Sequence, residues 1–136
     1  MTIKPILLIA LSLCLFISCN TSNDKAGFSG TFKGQFIDGP VNQLVSISAE
    51  IKFNGDNYEA TNGTGKFTVE DSSKVKFSMT NIESMDYIAN KVLNGEYNYV
   101  IKGDSLILTK IFPPVEHVES SLLIGYKNQY RLKRMK

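Results

Sequence analysis

The chain has no tryptophan, one histidine, four prolines, two cysteines and no large excess of either charge. Each shortage excludes something. Both cysteines, Cys14 and Cys19, fall at the front of the chain. The body behind them therefore has no pair to oxidise and must hold together through its apolar core. With His117 as the lone imidazole and no downstream thiol, neither a zinc site nor a cysteine nucleophile can be assembled. Fifteen basic side chains against thirteen acidic ones give a formal net charge of +2. That balance argues against a nucleic-acid partner, which calls for a strongly basic stripe. No glycine-rich loop precedes a helix, so a phosphate cradle is missing. Asp38, Asp56, Asp71 and Asp104 all fall in predicted turns, at spacings unlike those of a calcium loop. No cofactor and no metal are expected, and no acid, base and nucleophile set points to an enzyme.

Long hydrophobic runs are also scarce, and the one present is at the front. Lys4 precedes Pro5-Ile6-Leu7-Leu8-Ile9-Ala10-Leu11-Ser12-Leu13-Cys14-Leu15-Phe16-Ile17, followed by Ser18-Cys19-Asn20. A positive start, a short apolar core and a small residue before a cut make a secretory signal. The run is shorter than the roughly 20 residues that span a bilayer, and the polar stretch Asn20-Thr21-Ser22-Asn23-Asp24 supplies no positive flank. Ser18-Cys19 in this setting resembles the lipobox of bacterial lipoproteins, with Phe16 standing where Leu is usual. The resemblance implies that Cys19 is lipidated and becomes the new N-terminus. It implies two or three acyl chains, hence a permanent attachment, whereas a single chain holds only reversibly. Asn20 in place of an Asp makes the outer membrane of a Gram-negative bacterium the expected address. An ordinary signal peptide cut near Ser18 and a retained membrane helix are the alternatives. The expected organisation is a signal over 1–18, a lipidated polar tether over 19–27 and one compact domain over 28–136, a length that suits a single core.

Behind the tether the pattern has period two, the mark of strands with one buried face. Phe28, Gly30, Phe32, Gly34 and Phe36 alternate with polar residues. The inward glycines suggest strong coiling or a close backbone approach. Asp38-Gly39-Pro40 is read as a break. Val45, Ile47, Ala49, Ile51 and Phe53 form the cleanest strand, and Asn54-Gly55-Asp56 a hairpin turn. Tyr58 and Ala60 continue the alternation. Asn62-Gly63-Thr64-Gly65 turns, Phe67 and Val69 make a strand, Asp71-Ser72-Ser73 turns, and Val75, Phe77 and Met79 follow. From Thr80 to Lys91 the alternation is lost. Thr80-Asn81-Ile82-Glu83 has the form of a capping box, so a short helix or an ordered loop is expected. Strands return at 96–101 and 106–111, around a turn at Lys102-Gly103-Asp104-Ser105. A loop with Pro113-Pro114 leads to a last strand in which Tyr130 and Leu132 face inward. About eight short strands joined by short links exclude parallel pairing, which needs long crossovers. The expected fold class is all-β, an antiparallel up-and-down meander closing into a small barrel.

Three segments carry a family likeness: Gly30-Thr31-Phe32-Lys33-Gly34, then Leu93-Asn94-Gly95-Glu96-Tyr97-Asn98-Tyr99 with Lys102-Gly103-Asp104-Ser105-Leu106, and Tyr130-Arg131-Leu132-Lys133-Arg134. With them the chain resembles the lipocalin-like (calycin) lipoproteins of Gram-negative bacteria. It departs from true lipocalins in placing Phe32 where the first-strand tryptophan stands. Biotin binding of the avidin type, which depends on several tryptophans, is not expected. The mature chain is also shorter than a full lipocalin, leaving less room for a deep cup.

Phe32, Phe36, Ile47, Phe53, Tyr58, Phe67, Phe77, Tyr97 and Tyr99 are the candidates to line either a ligand pocket or a filled core. Tyr97 and Tyr99 stand out because a buried phenol wants a polar partner. His117 beside Glu116 reads as a surface loop residue rather than a base or metal ligand. The basic stretch 127–136 reads as the solvent face of the last strand, with contact to anionic lipid as the alternative. Asp104-Ser105-Leu106 reads as a turn rather than a glycosylation triplet. The expected function is a non-enzymatic, lipid-anchored barrel that binds a small apolar or amphipathic ligand. The alternative is a protein-binding module, an envelope-complex accessory or hydrolase inhibitor, presenting the loops 81–91 and 112–126.

Overall fold

A computed structural model describes residues 27–82, 92–113 and 125–136. These residues form eight strands: β1 (Gly30–Pro40), β2 (Val45–Asn54), β3 (Asn57–Ala60), β4 (Gly63–Val69), β5 (Lys74–Ile82), β6 (Gly95–Lys102), β7 (Ser105–Lys110) and β8 (Tyr126–Arg134). Each strand pairs antiparallel with the next, and β1 also pairs with β8, so the meander closes into a barrel. Among the described residues there is no helix. Closure pairs β1 with β8 and so leaves neither a free edge to template aggregation.

Pairing of neighbours by short turns explains the topology. Asn54 faces Asn57 around Gly55-Asp56, and Lys102 faces Ser105 around Gly103-Asp104. Gly55 and Gly103 hold φ of +59° and +56°, the left-handed values that two-residue hairpins need. Asp71 caps the β4–β5 turn. Its Oδ1 accepts from Ser73 N–H, the Ser73 hydroxyl and Lys74 N–H, and these bonds hold its carboxyl below the usual range.

The register defines two ends. The lower end carries the turns at 55–56, 70–73 and 103–104, the entry of the chain at Gly27 and its exit at Met135. The upper end carries the connections 41–44 and 61–62, and there β5 and β7 end and β6 and β8 begin. Phe28 plugs the lower end. Its ring meets Phe53, Phe67 and Tyr99 at centroid distances of 5.1, 5.5 and 5.0 Å. Arg134 fastens that plug, donating from Nη2 to Gly27 O at 2.6 Å while its guanidinium lies 5.0 Å over the Phe32 ring.

Several expectations need correction. Asp38-Gly39-Pro40 does not break the first strand. β1 runs to Pro40, which pairs with Tyr126 of β8, and the reversal falls at 40–43, where Gln43 N–H donates to Pro40 O. Gly39, at φ +119°, lets the strand bend there. Gly63, Thr64 and Gly65 are strand, not turn. A Cβ on either glycine would collide with a backbone oxygen of β5, Asn81 O for Gly63 and Ser78 O for Gly65, so these glycines exist for close strand approach. Thr80, Asn81 and Ile82 belong to β5 rather than to a helix cap, and the rest of that stretch, 83–91, lies outside the described residues. Of the inward-read glycines of the first strand, Gly34 does pack against β8, but Gly30 is exposed at φ +81°. Val45, expected inside, is 57% exposed at the upper rim.

Candidate functional site

The interior is not uniform from one end to the other. Phe32, Phe36, Phe53, Tyr58, Phe67, Phe77, Tyr97 and Tyr99 are all buried and inward, while Ile47 is partly buried in the upper half of β2. Through the lower and middle barrel these rings touch one another: Phe53 meets Phe67 at 5.2 Å, Phe77 meets Tyr97 at 5.5 Å and Phe36 meets Tyr130 at 4.6 Å. There the aromatic set is core. The outer-wall groove lined by Lys52, Asn54, Asn57, Tyr58, Glu59 and Thr64 is open to solvent.

The upper interior differs. Asp38 of β1 sits opposite Asn128 of β8, and Tyr97 of β6 sits opposite Lys110 of β7. Thr109 pairs with Gln129, so Lys110 and Asn128 are the next facing residues along β7 and β8. Strand alternation therefore puts Asp38, Asn128, Lys110 and Tyr97 at one level of the inner wall across four adjacent strands. The Asp38 carboxylate is occupied on both oxygens: Oδ1 accepts from Asn128 Nδ2 at 3.1 Å and Oδ2 from the Tyr126 hydroxyl at 3.0 Å. Lys110 Nζ lies 5.8 Å over the Tyr97 ring, and among the described residues it makes no hydrogen bond or ion pair. Burial lowers its pKa, and the nearby Asp38 charge works against that shift.

Phenols line the interior at and below this level. Tyr58 donates its hydroxyl to Leu93 O, and Tyr99 donates to Asp71 O at 3.0 Å. Tyr97 Oη is buried, and the polar group beside it is the Asn94 backbone amide, placed short of good hydrogen-bond geometry. Burial pushes the Tyr58 phenol up to about 12. It also raises Tyr97, where the nearby Asn94 backbone amide opposes the shift and the Tyr58 and Asp38 charges add to it. Tyr130 is raised by burial first, then by Tyr97, Tyr58 and Asp38.

These shifts give a sign for alkaline pH. A phenol whose folded pKa is raised contributes stability that is fully present below its ordinary value of 10.0 and is lost as pH rises through the folded value. Buried phenolate should therefore appear only together with loss of the strand signal in circular dichroism. Complete phenolate formation around the ordinary value with the strand signal intact would contradict this burial.

The local composition around Asp38 points to a turn, and neither Lys110 nor Asn128 is among the candidates read from the sequence. The signal for the last two is nevertheless there. Leu106 and Leu108 place Lys110 inward by the same alternation, and Tyr130 and Leu132 place Asn128. Cys19, Glu116 and His117 lie outside the described residues, as do most of 81–91 and 112–126. Among the described residues no group of three His, Cys, Asp or Glu side chains is placed to hold a metal. Compared with protein-family models, with curated proteins and with solved structures, the chain matches none.

Proposed function

We propose that this chain is a lipid-anchored envelope protein whose barrel, lipocalin-like in character, binds a small amphipathic molecule at its upper mouth without catalysing a reaction. The observation that supports this reading is the polar cluster on the upper inner wall, where the half-buried Lys110, without a hydrogen bond among the described residues, lies over the Tyr97 ring with Asp38 and Asn128 beside it. A fold that needed only a filled core would place apolar side chains there. The opposite wall supplies the apolar side, with Ile47 and Val45 on β2 facing Phe36 and Asp38 of β1. Because the rings below are packed, the ligand lies in the mouth, not in a deep cup.

The export signal and Ser18-Cys19 support the anchor. Seven residues, 20–26, lie between Cys19 and Gly27, a reach of at most about 28 Å over eight Cα steps, and Gly27 enters at the lower end. Attachment at that end favours an orientation in which the mouth faces away from the bilayer. Native mass spectrometry of the protein released from its own membranes should show an adduct of small-molecule mass. A bare polypeptide plus its acyl chains would contradict the reading.

One observation favours a protein partner as the second reading. Val41, Leu44 and Val45 are 64%, 43% and 57% exposed on the upper rim. If that reading holds, serine at positions 41 and 44 abolishes capture of a specific envelope protein while the small-molecule adduct is absent from the parent.

A further inference from the structure

The ladder between β2 and β3 stops short of the upper rim. β2 runs from Val45 to Asn54, but β3 pairs with it only from Asn54 back to Ile51, where Ala60 is the last partner. Thr61 then ends the ladder with its side chain, Oγ1 accepting from Glu50 N–H at 3.4 Å. Above that point β2 pairs with β1 alone among the described strands. Alternate residues of a strand turn their N–H and C=O to opposite neighbours. Those in step with Glu50 face the β3 side, so Ser46 and Ser48 each leave both groups, and Glu50 its carbonyl, without a partner among the described residues. All three residues are exposed. We infer that this open edge docks an extended segment of a partner protein, added antiparallel to Val45–Glu50 as a further strand of the barrel wall.

The chemistry of the edge identifies its occupant. Its donors and acceptors recur about every 7 Å, two residues apart, a spacing that an extended backbone matches. The side chains add a pattern. Val45, Ile47 and Ala49 share one side of the edge, with Val45 57% exposed and the other two partly buried, and Ser46, Ser48 and Glu50 share the other. A segment that alternates apolar and polar residues suits both sides. A cleft lined by Lys33, Gly34, Ser48, Ala49, Glu50 and Thr61 opens where β3 leaves β2 and seats the end of the segment. A second copy of this chain is the poorer occupant. A two-fold pair joins like edges antiparallel, which inverts one barrel against the other and points the two Gly27 ends in opposite directions. Two chains moored in one bilayer at that end cannot meet so. That step rests on the lipid-anchor reading, and the whole gives the protein-partner reading its mode of attachment. Lys110 and Tyr97 take no part in it.

The test follows amide hydrogen exchange, by nuclear magnetic resonance, in the full lipidated protein in nanodiscs. The probe is the end-capped peptide Lys-Thr-Val-Ser-Val-Thr-Lys. Without peptide, Ser46 and Ser48 should exchange about tenfold or more faster than Ile47 and Ala49, whose amides face β1. Saturating peptide should slow Ser46 and Ser48 by about tenfold or more and leave Gly55 unchanged. Methylating the nitrogen of the peptide's central Ser, which faces the edge, should weaken binding by about tenfold or more. Methylating a Val nitrogen, which faces away, should keep binding within about threefold. Ser48→Pro should melt within a few degrees of the parent, since the lost N–H has no described acceptor and an open edge tolerates proline. It should still weaken peptide binding by about tenfold or more. Slow exchange at Ser46 and Ser48 in the free protein, no saturable slowing by peptide, or equal binding of the two methylated peptides overturns strand addition. Capture through Val41 and Leu44 is judged separately by its own variant. Protection of Ser46 and Ser48 that rises with protein concentration in detergent, without peptide, overturns the assignment in favour of a second copy.

Discussion

Gly34→Ala should cost about 3 kcal/mol or more of folding stability, although it adds a single methyl group. The new Cβ would collide with the backbone oxygen of Arg131 and stand 2.9 Å from Leu132 Cα. Both obstacles are main chain, so no rotamer change relieves them. Both also belong to β8, whose pairing with β1 closes the barrel. Relief requires the seam to open, and hydrogen bonds on either side of Gly34 must lengthen. Since a domain of this size is stable by only about 5–15 kcal/mol, the variant should melt roughly 12–24 °C lower than the parent. Gly30→Ala is the matched control. Nothing lies within 4 Å of its Cβ, but its φ is +81°, so only the backbone penalty of about 1–2 kcal/mol applies. Thermal unfolding of the two variants side by side separates steric closure from backbone preference. A Gly34→Ala protein melting within a few degrees of the parent contradicts the close seam.

Phe53→Ala should cost about 4 kcal/mol, within the range for truncating a buried aromatic ring. Phe53 is 3% exposed and its ring meets Phe28, Phe32, Phe67 and Phe77. It thus ties the plug at the lower end to the middle of the core. Its removal leaves a void whose walls are held by strand pairing on every side, so collapse is poor and the cavity term is large. Phe112→Ala is the contrast. That ring is 36% exposed and has one described ring neighbour, Tyr126, at 5.8 Å, so its loss should cost less than about 1.5 kcal/mol. Denaturant unfolding gives both values. A loss below about 1.5 kcal/mol for Phe53→Ala would show that the rings are not packed as the distances say.

Much of this architecture is legible in the amino-acid pattern, and the reason is physical. A strand buried on one face must alternate, so Phe32–Phe36, Ile51–Phe53, Val75–Phe77, Tyr97–Tyr99 and Leu106–Leu108 declare themselves. Short Asn-Gly and Gly-Asp links force antiparallel neighbours. The pattern misleads where a distant partner overrides a local signal. Asp38-Gly39-Pro40 carries the composition of a turn, yet it continues as strand because β8, about ninety residues further on, offers it a pairing edge. Gly63 and Gly65 look like turn glycines until β5 is placed beside them. Asp38 is hidden for the same reason, and with it one side of the mouth. Lys110 and Asn128 are legible in principle, since the alternation that places Leu108 and Tyr130 inside extends by two residues to each of them.

The claim on which the account turns is that a small amphipathic ligand is held at the upper mouth, opposite the end at which Gly27 enters. The direct measurement is nitrogen-15 amide shift mapping on the full protein in nanodiscs during titration with a short amphipathic probe, hexanoate. The account predicts saturable shifts at Asp38, Gly39, Tyr97, Lys110 and Asn128, with the lower turns at Gly55, Ser73 and Gly103 unmoved. Shifts centred on the lower turns or on the outer wall, or no saturable shift at all, would contradict it.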